Sequence, residues 1–249
     1  MIRLKNEKEI AGIRESGRLL AWTLDELRKI VEPGITTKEL DRFARNWIEK
    51  HGGRPAFLGY MNYPGSLCVS VNDEVIHGIP GSRKLQSGDI VSLDLGVDLN
   101  GYFSDSAITV AVGQVSKEKE KLIRVTKECL DRGVVEAVAG NRISDISRAV
   151  YEHATKNGFG VVRDYCGHGT GFAMHEDPQV PNYVGGGANP RLKEGMVLAI
   201  EPMVNIGGDD IELLEDGWTV ITADGSASAH FEHTVAVLRD RMEILTLFH

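Results

Sequence analysis

The chain of 249 residues is 42% hydrophobic and 26% charged, the balance of a soluble globular protein able to bury a sizeable core. Its formal charge of −8 is not offset by any basic stripe, which argues against nucleic acid as a main ligand. No apolar run approaches the roughly 20 residues that span a bilayer, and the charged opening "MIRLKNEKEIAGIRESG" reads as neither secretion signal nor anchor, so cytoplasmic residence without membrane contact is expected.

In chain order, Glu7 to Val31 carries apolar residues at helical spacing and stops at Pro33-Gly34. Thr36-x-x-Glu39 opens a second helix as a capping box, running to about Lys50 before His51-Gly52-Gly53. Short β-like runs follow at Ser66–Val71, Ile90–Leu95 and Ala107–Val112. Lys117 to Val138 is helical again, Gly140 breaks it, and another helix runs from Ser144 to Asn157-Gly158.

The second half thus repeats the order of the first. A shift of 106 lays Leu24-Asp25 on Leu130-Asp131, Gly34 on Gly140, and Lys50-His51-Gly52 on Lys156-Asn157-Gly158. A shift of 107 lays Leu85-x-x-Gly88 on Leu192-x-x-Gly195, and six residues beyond these glycines stand Asp94 and Glu201. Asp105 in "FSDSAITVAV" resembles Glu232 in "HFEHTVAVL". The pattern predicts one α+β domain over 1–249, built from two pseudo-symmetric halves of about 1–115 and 116–249 whose sheets merge.

The segment "SLDLGVDLNGYFSDSAITV" places two acids together. Asn100-Gly101 between β-like runs predicts a two-residue hairpin, because a type I′ turn needs positive φ at both positions. Centred there, the turn sets Leu99 opposite Tyr102, Gly96 opposite Asp105 and Asp94 opposite Ala107. Asp94 and Asp105 then share a face as diagonal neighbours, roughly 7–8 Å apart at Cα. Two such carboxylates repel unless a proton or a cation intervenes, and an acid pair sharing one proton is one solution. With Glu201 and Glu232 supplied by the repeat, four acids and a histidine suit two divalent ions better.

Spacing weighs the histidines less sharply. His51, His153 and His249 are expected in solvent. His77, in "NDEVIHGIP", ends a β-like run where a side chain can reach a cleft. His168 and His175 stand seven residues apart in "CGHGTGFAMHEDP", and spacing alone leaves their roles open. By alternation His230 shares the face of Glu232 while His233 turns away, and His230 is either near the ligands or supports them. Cys68, Cys129 and Cys166 lack CxxC spacing, which argues against a disulfide frame or zinc knuckle; Cys166 reads as a packing residue. There is no HExxH, and no G-x-S-x-G to mark a serine triad.

The series "NDEVIHGIP", "SLDLG", "YFSDSA", "GHGTG", "MHEDP", "AIEPM" and "HFEHT" resembles the methionine aminopeptidases, in order and over nearly the whole chain. The resemblance implies the pita-bread fold, a mostly antiparallel central sheet covered by helices. It implies two divalent ions, drawn from Co, Mn, Fe(II) or Zn. Asp94 would chelate one ion, Asp105 and Glu232 would bridge both, and His168 with Glu201 would complete the second. His77 and His175 would contact the scissile peptide, and Glu201 would shuttle a proton. Phe57, Tyr60, Tyr63, Met174 and Trp218 would line the methionine pocket. Many bacterial relatives of type I have a cysteine where Phe57 stands and an aromatic where Met174 stands.

The 31-residue interval from Glu201 to Glu232 resembles the short type I form. The activity implied is removal of the N-terminal methionine from nascent polypeptides when the second residue is small, by a hydroxide held between the two ions. A monomer with transient ribosome association is expected, with no nucleic-acid or membrane partner. Two alternatives are weighed against this. Proline-directed relatives share the five ligands but usually carry a large extra N-terminal domain, and non-catalytic binding proteins on the same fold typically lose ligands.

Overall fold

A computed structural model describes residues 1–185 and 187–247. His249, expected in solvent, lies outside the described residues. Four α-helices lie in order among the described residues: α1 (Glu7–Ile30), α2 (Thr37–Lys50), α3 (Lys117–Val135) and α4 (Ile143–Lys156). Asn6 caps α1 in a box with Glu9, and Thr36 caps α2 in the expected box with Glu39. Such a cap stabilises by about 1 kcal/mol. Helix α3 stops three residues before the expected Val138, because Glu136 and Ala137 N–H groups turn to the Gly133 and Val134 carbonyls in a tighter closing turn. None of the helices described is long and apolar enough to cross a membrane.

The strands pair antiparallel throughout. In the first half, Ile90–Leu99 is flanked by Tyr102–Ala111 on one edge, and by Cys68–Val71 and Arg54–Pro55 along the other. In the second, the order is Met242–Ile244, His233–Val237, Val197–Ile200, Gly167–Gly169, Glu176–Val180. Alternation on the central strand puts Leu93, Leu95 and Val97 against Leu20, Leu27, Leu40 and Ile48 of α1 and α2. Leu198, Ile200 and Val235 pack in the same way on Leu130, Val134, Ile143 and Ile146 of α3 and α4. Full burial of each such side chain contributes about 1.5–3 kcal/mol.

The two halves repeat at the level of single hydrogen bonds. Gly34 N–H donates to Leu85 O (2.7 Å), and Gly140 N–H to Leu192 O (3.0 Å). Leu85 N–H donates to Ile35 O, and Leu192 N–H to Asn141 O. The lone bridges Thr36–Lys84 and Arg142–Arg191 are equivalent under the same shifts. Gly34 and Gly140 both adopt φ of 100°, a conformation that favours glycine.

The halves meet along Tyr102–Ala111 and Ser228–Val237, but not as the single merged sheet expected. Elsewhere Glu74–Ile76 of the first half pairs with Val220–Thr222 of the second, but between these two segments a single backbone bond forms, Glu232 N–H to Ala107 O at 2.9 Å. Hydroxyls do the rest: Ser106 donates to Glu232 O, Thr109 to His230 O, and Thr234 to Asp105 O. Phe231 and Glu232 interrupt the strand between Ser228–His230 and His233–Val237, so the ladder cannot continue there.

Two histidines expected in solvent are instead partly covered. His51 sits between the Trp22 and Trp47 rings and bonds the Trp47 carbonyl through Nδ1, because the end of α2 packs back on α1. His153 bonds Glu128 at 2.7 Å across the α3–α4 contact.

Candidate metal centre

The hairpin has the expected register: Leu99 pairs with Tyr102, Gly96 with Asp105 and Asp94 with Ala107. Asn100 and Gly101 both take positive φ, 56° and 82°, as the turn type demands. Asp94 and Asp105 therefore leave the helix-covered face and turn into the molecule's centre, at 8% and 4% exposure. Glu201 follows the strand Val197–Ile200, and His168 pairs with Ala199 of that strand. Glu232 directly precedes His233, which pairs with Ile200. The strand Gly167–Gly169 and the ends of two neighbouring strands thus deliver His168, Glu201 and Glu232 to the hairpin acids.

His168 Nε2 lies 3.6 Å from Asp105 and 3.5 Å from Glu201. Asp105, His168 and Glu232 each present a donor atom within 4.8 Å of the others. Asp94 Oδ1, Asp105 Oδ1 and Glu232 Oε1 are buried without a hydrogen-bond partner. Buried oxygens of this kind carry a desolvation cost that a cation offsets.

Burial, then repulsion from the neighbouring acids, pushes the Asp94, Glu201 and Glu232 carboxyls well above their ordinary range. Burial pushes Asp105 up to about 8. Bare protein would hold protons here, whereas divalent ions would let all four stay ionised. His168 is held down to about 4 by burial. Its Nδ1 lies 2.9 Å from the Gly169 carbonyl, which fixes the proton on Nδ1 and leaves the Nε2 lone pair facing the acids. Oxygen donors with one neutral imidazole fit divalent first-row ions.

The acids and His168 line a cavity of about 540 Å³ together with His77, His175, Phe57, Tyr60, Tyr63 and Trp218. His175 Nδ1 lies 2.9 Å from the Tyr60 hydroxyl, and its ring centroid 4.1 Å from that of His168. His77 sits at φ 60°, a backbone strain that sites of function retain. Its ring stands edge-on to Tyr165 and Trp218. Burial, helped by the His175 charge, lowers the His77 imidazole to about 4. Met174 is not among the cavity-lining residues: it is 2% exposed and packs behind the wall with Phe57, Tyr63 and Cys68.

His230 is buried on the acid side with both ring nitrogens unpartnered, Nε2 lying 3.8 Å from Glu201. His233 turns away and bonds Thr246, as alternation requires. Sequence reading missed Cys68, Tyr165, Gln179 and Leu213 on the cavity wall. Only Cys68 had a legible signal, since the β-like run containing it pairs with the acid strand and sets it opposite Asp94. Cys166 also borders the cavity, and burial pushes its thiol above the ordinary range.

Comparison with known proteins agrees with this geometry. The model of metallopeptidase family M24 matches residues 11–239. Methionine aminopeptidase of Clostridium perfringens is 55% identical over 99% of both chains, and methionine aminopeptidase 1 of Bacillus subtilis is 52% identical over 99% of both. The crystal structure of methionine aminopeptidase from Rickettsia prowazekii superposes with a TM-score of 0.97 at 42% identity, covering 99% of this chain and 100% of that one. Prolidase from Pyrococcus furiosus shares the fold, with a TM-score of 0.80 at 21% identity. A match over most of the chain, relatives above half identity and one cavity ringed by buried acids lead to one assignment: the chain belongs to metallopeptidase family M24 and, within it, to the methionine aminopeptidases.

Proposed function

We propose that this enzyme removes the N-terminal methionine from polypeptides whose second residue is small, at a centre for two divalent ions. The observation that carries this reading is the set of buried, unpartnered carboxylate oxygens around His168 on the wall of one cavity. Asp94 would hold one ion and His168 with Glu201 the other, with Asp105 and Glu232 shared between them; Co, Mn, Fe(II) and Zn all suit these donors. Bound there, such ions supply an activated water and a Lewis acid for the scissile carbonyl.

The chain's own residues do the remaining work. Glu201 takes the proton from the attacking water and returns it to the leaving amine. The Tyr60 hydroxyl, 2.9 Å from His175 Nδ1, can donate to it and leave the proton on Nε2. His175 then donates from Nε2 to the carbonyl oxygen as negative charge develops. His77, neutral because it is buried, holds the backbone of the second residue. The rings of Phe57, Tyr63 and Trp218 surround the methionine side chain, with Met174 backing Phe57. Residues 1–249 act as one catalytic domain, since each half contributes ligands.

The test is a peptide panel. Met-Ala-Ser should release methionine with added Mn(II) or Co(II), Met-Leu-Ser far more slowly, and Xaa-Pro peptides not at all. Faster cleavage of Xaa-Pro peptides would move the enzyme to a proline-directed specificity.

A further inference from the structure

The acid-bearing face of the strand Ile90–Leu99 has an unfilled position between Asp94 and Asp98. Gly96 occupies it, directly opposite Asp105. A Cβ built on Gly96 would lie 2.9 Å from Met174 Sδ, 3.0 Å from Met174 Cε and 2.9 Å from Phe57 Cε1. Real Cβ atoms essentially never come that close, so any side chain at 96 would force a neighbour to move. The backbone itself does not call for glycine here, because Gly96 has no positive φ. The need for glycine is therefore one of space alone.

The direction of that forced movement is set by packing. Met174 is 2% exposed and packs with Phe57, Tyr63 and Cys68, so its thioether can yield only within a filled cluster. Phe57 borders the open cavity. A methyl group at position 96 would therefore drive the Phe57 ring into the space that Tyr63 and Trp218 share with it.

We propose that Gly96 is a specificity-determining residue: by lacking a side chain it lets Phe57 and Met174 settle onto the strand, and so sets the depth of the apolar arm that receives the first side chain of the substrate. This rests on the aminopeptidase reading above and adds to it the residue that sizes the pocket. Since one methylene in an apolar pocket changes discrimination by about 10- to 200-fold, an intruding ring edge should act at that scale.

The experiment compares wild type, Gly96→Ala, Met174→Ala and the double variant, all loaded with Mn(II), on Met-Ala-Ser. Gly96→Ala should lower kcat/KM for Met-Ala-Ser about 10-fold or more, mainly through KM. Adding Met174→Ala should recover most of that loss, because Phe57 can then move into the space vacated by the thioether instead of into the cavity. Mn(II) affinity by calorimetry should match wild type in all variants, which separates pocket size from damage to Asp94 two residues away. An active wild type with an unchanged Gly96→Ala overturns the inference alone, as does a loss that Met174→Ala fails to relieve or that follows lost Mn(II) binding. A wild type that releases no methionine with any of the four metals overturns the aminopeptidase reading, and the inference with it.

Discussion

His168 and His175 show how little side-chain identity says until its partners are known. Both are imidazoles in one glycine-rich stretch, with ring centroids 4.1 Å apart. One bonds a backbone carbonyl through Nδ1 and turns Nε2 to the acids; the other meets a tyrosine hydroxyl and faces the cavity. Two predictions separate them. His175→Ala should bind the wild-type number of ions by calorimetry and lose about 10²–10³ in kcat, the usual effect of deleting one donor to a developing oxyanion. Loss of an ion in that variant would make His175 a ligand. If Asp105 is shared by both ions as proposed, Asp105→Asn should leave at least one ion unbound at concentrations that saturate wild type. Retention of both ions would count against the shared position of Asp105.

At the scale of elements, the turn and the caps were legible because they depend on neighbours in sequence. Asn100-Gly101 needs positive φ at both positions, and that local demand fixes the pairing of the whole hairpin and the shared face of two acids. The capping box at Thr36 and Glu39 is equally local. Less legible were features made by side chains from distant strands. Hydroxyls of Ser106, Thr109 and Thr234 replace a continuous ladder between the halves, and no periodicity announces that. The resemblance implies Met174 as a pocket residue, and it packs behind Phe57, where Gly96 leaves room. The repeat itself yields a prediction. Gly34 and Gly140 share φ 100° with nothing within 4 Å of an added Cβ, so Gly34→Ala and Gly140→Ala should each cost about 1–3 kcal/mol from backbone strain alone. Unequal losses in thermal melts would show that the two turns are not equivalent.

The molecule as a whole is two similar halves closed on a seam, with the acids of both directed inward. Each half brings its own helix pair and sheet, so stability comes from ordinary apolar packing while the seam gathers groups that repel one another. The four buried carboxyls are pushed upward by burial, as expected of a centre that needs cations to keep them ionised. Binding to the native state alone stabilises it by mass action, about 2.7 kcal/mol at a free ion concentration one hundred times Kd. Mn(II) should therefore raise the melting temperature and a chelator should lower it, with the shift much reduced in Asp105→Asn. The most direct test joins occupancy to chemistry: metal-free protein is titrated with Mn(II) under anaerobic conditions while methionine release from Met-Ala-Ser is followed in the same samples. Release should be absent without metal and rise as the ions bind, reaching its plateau when the site is filled. Full-rate release from metal-free, chelator-treated protein would contradict the account.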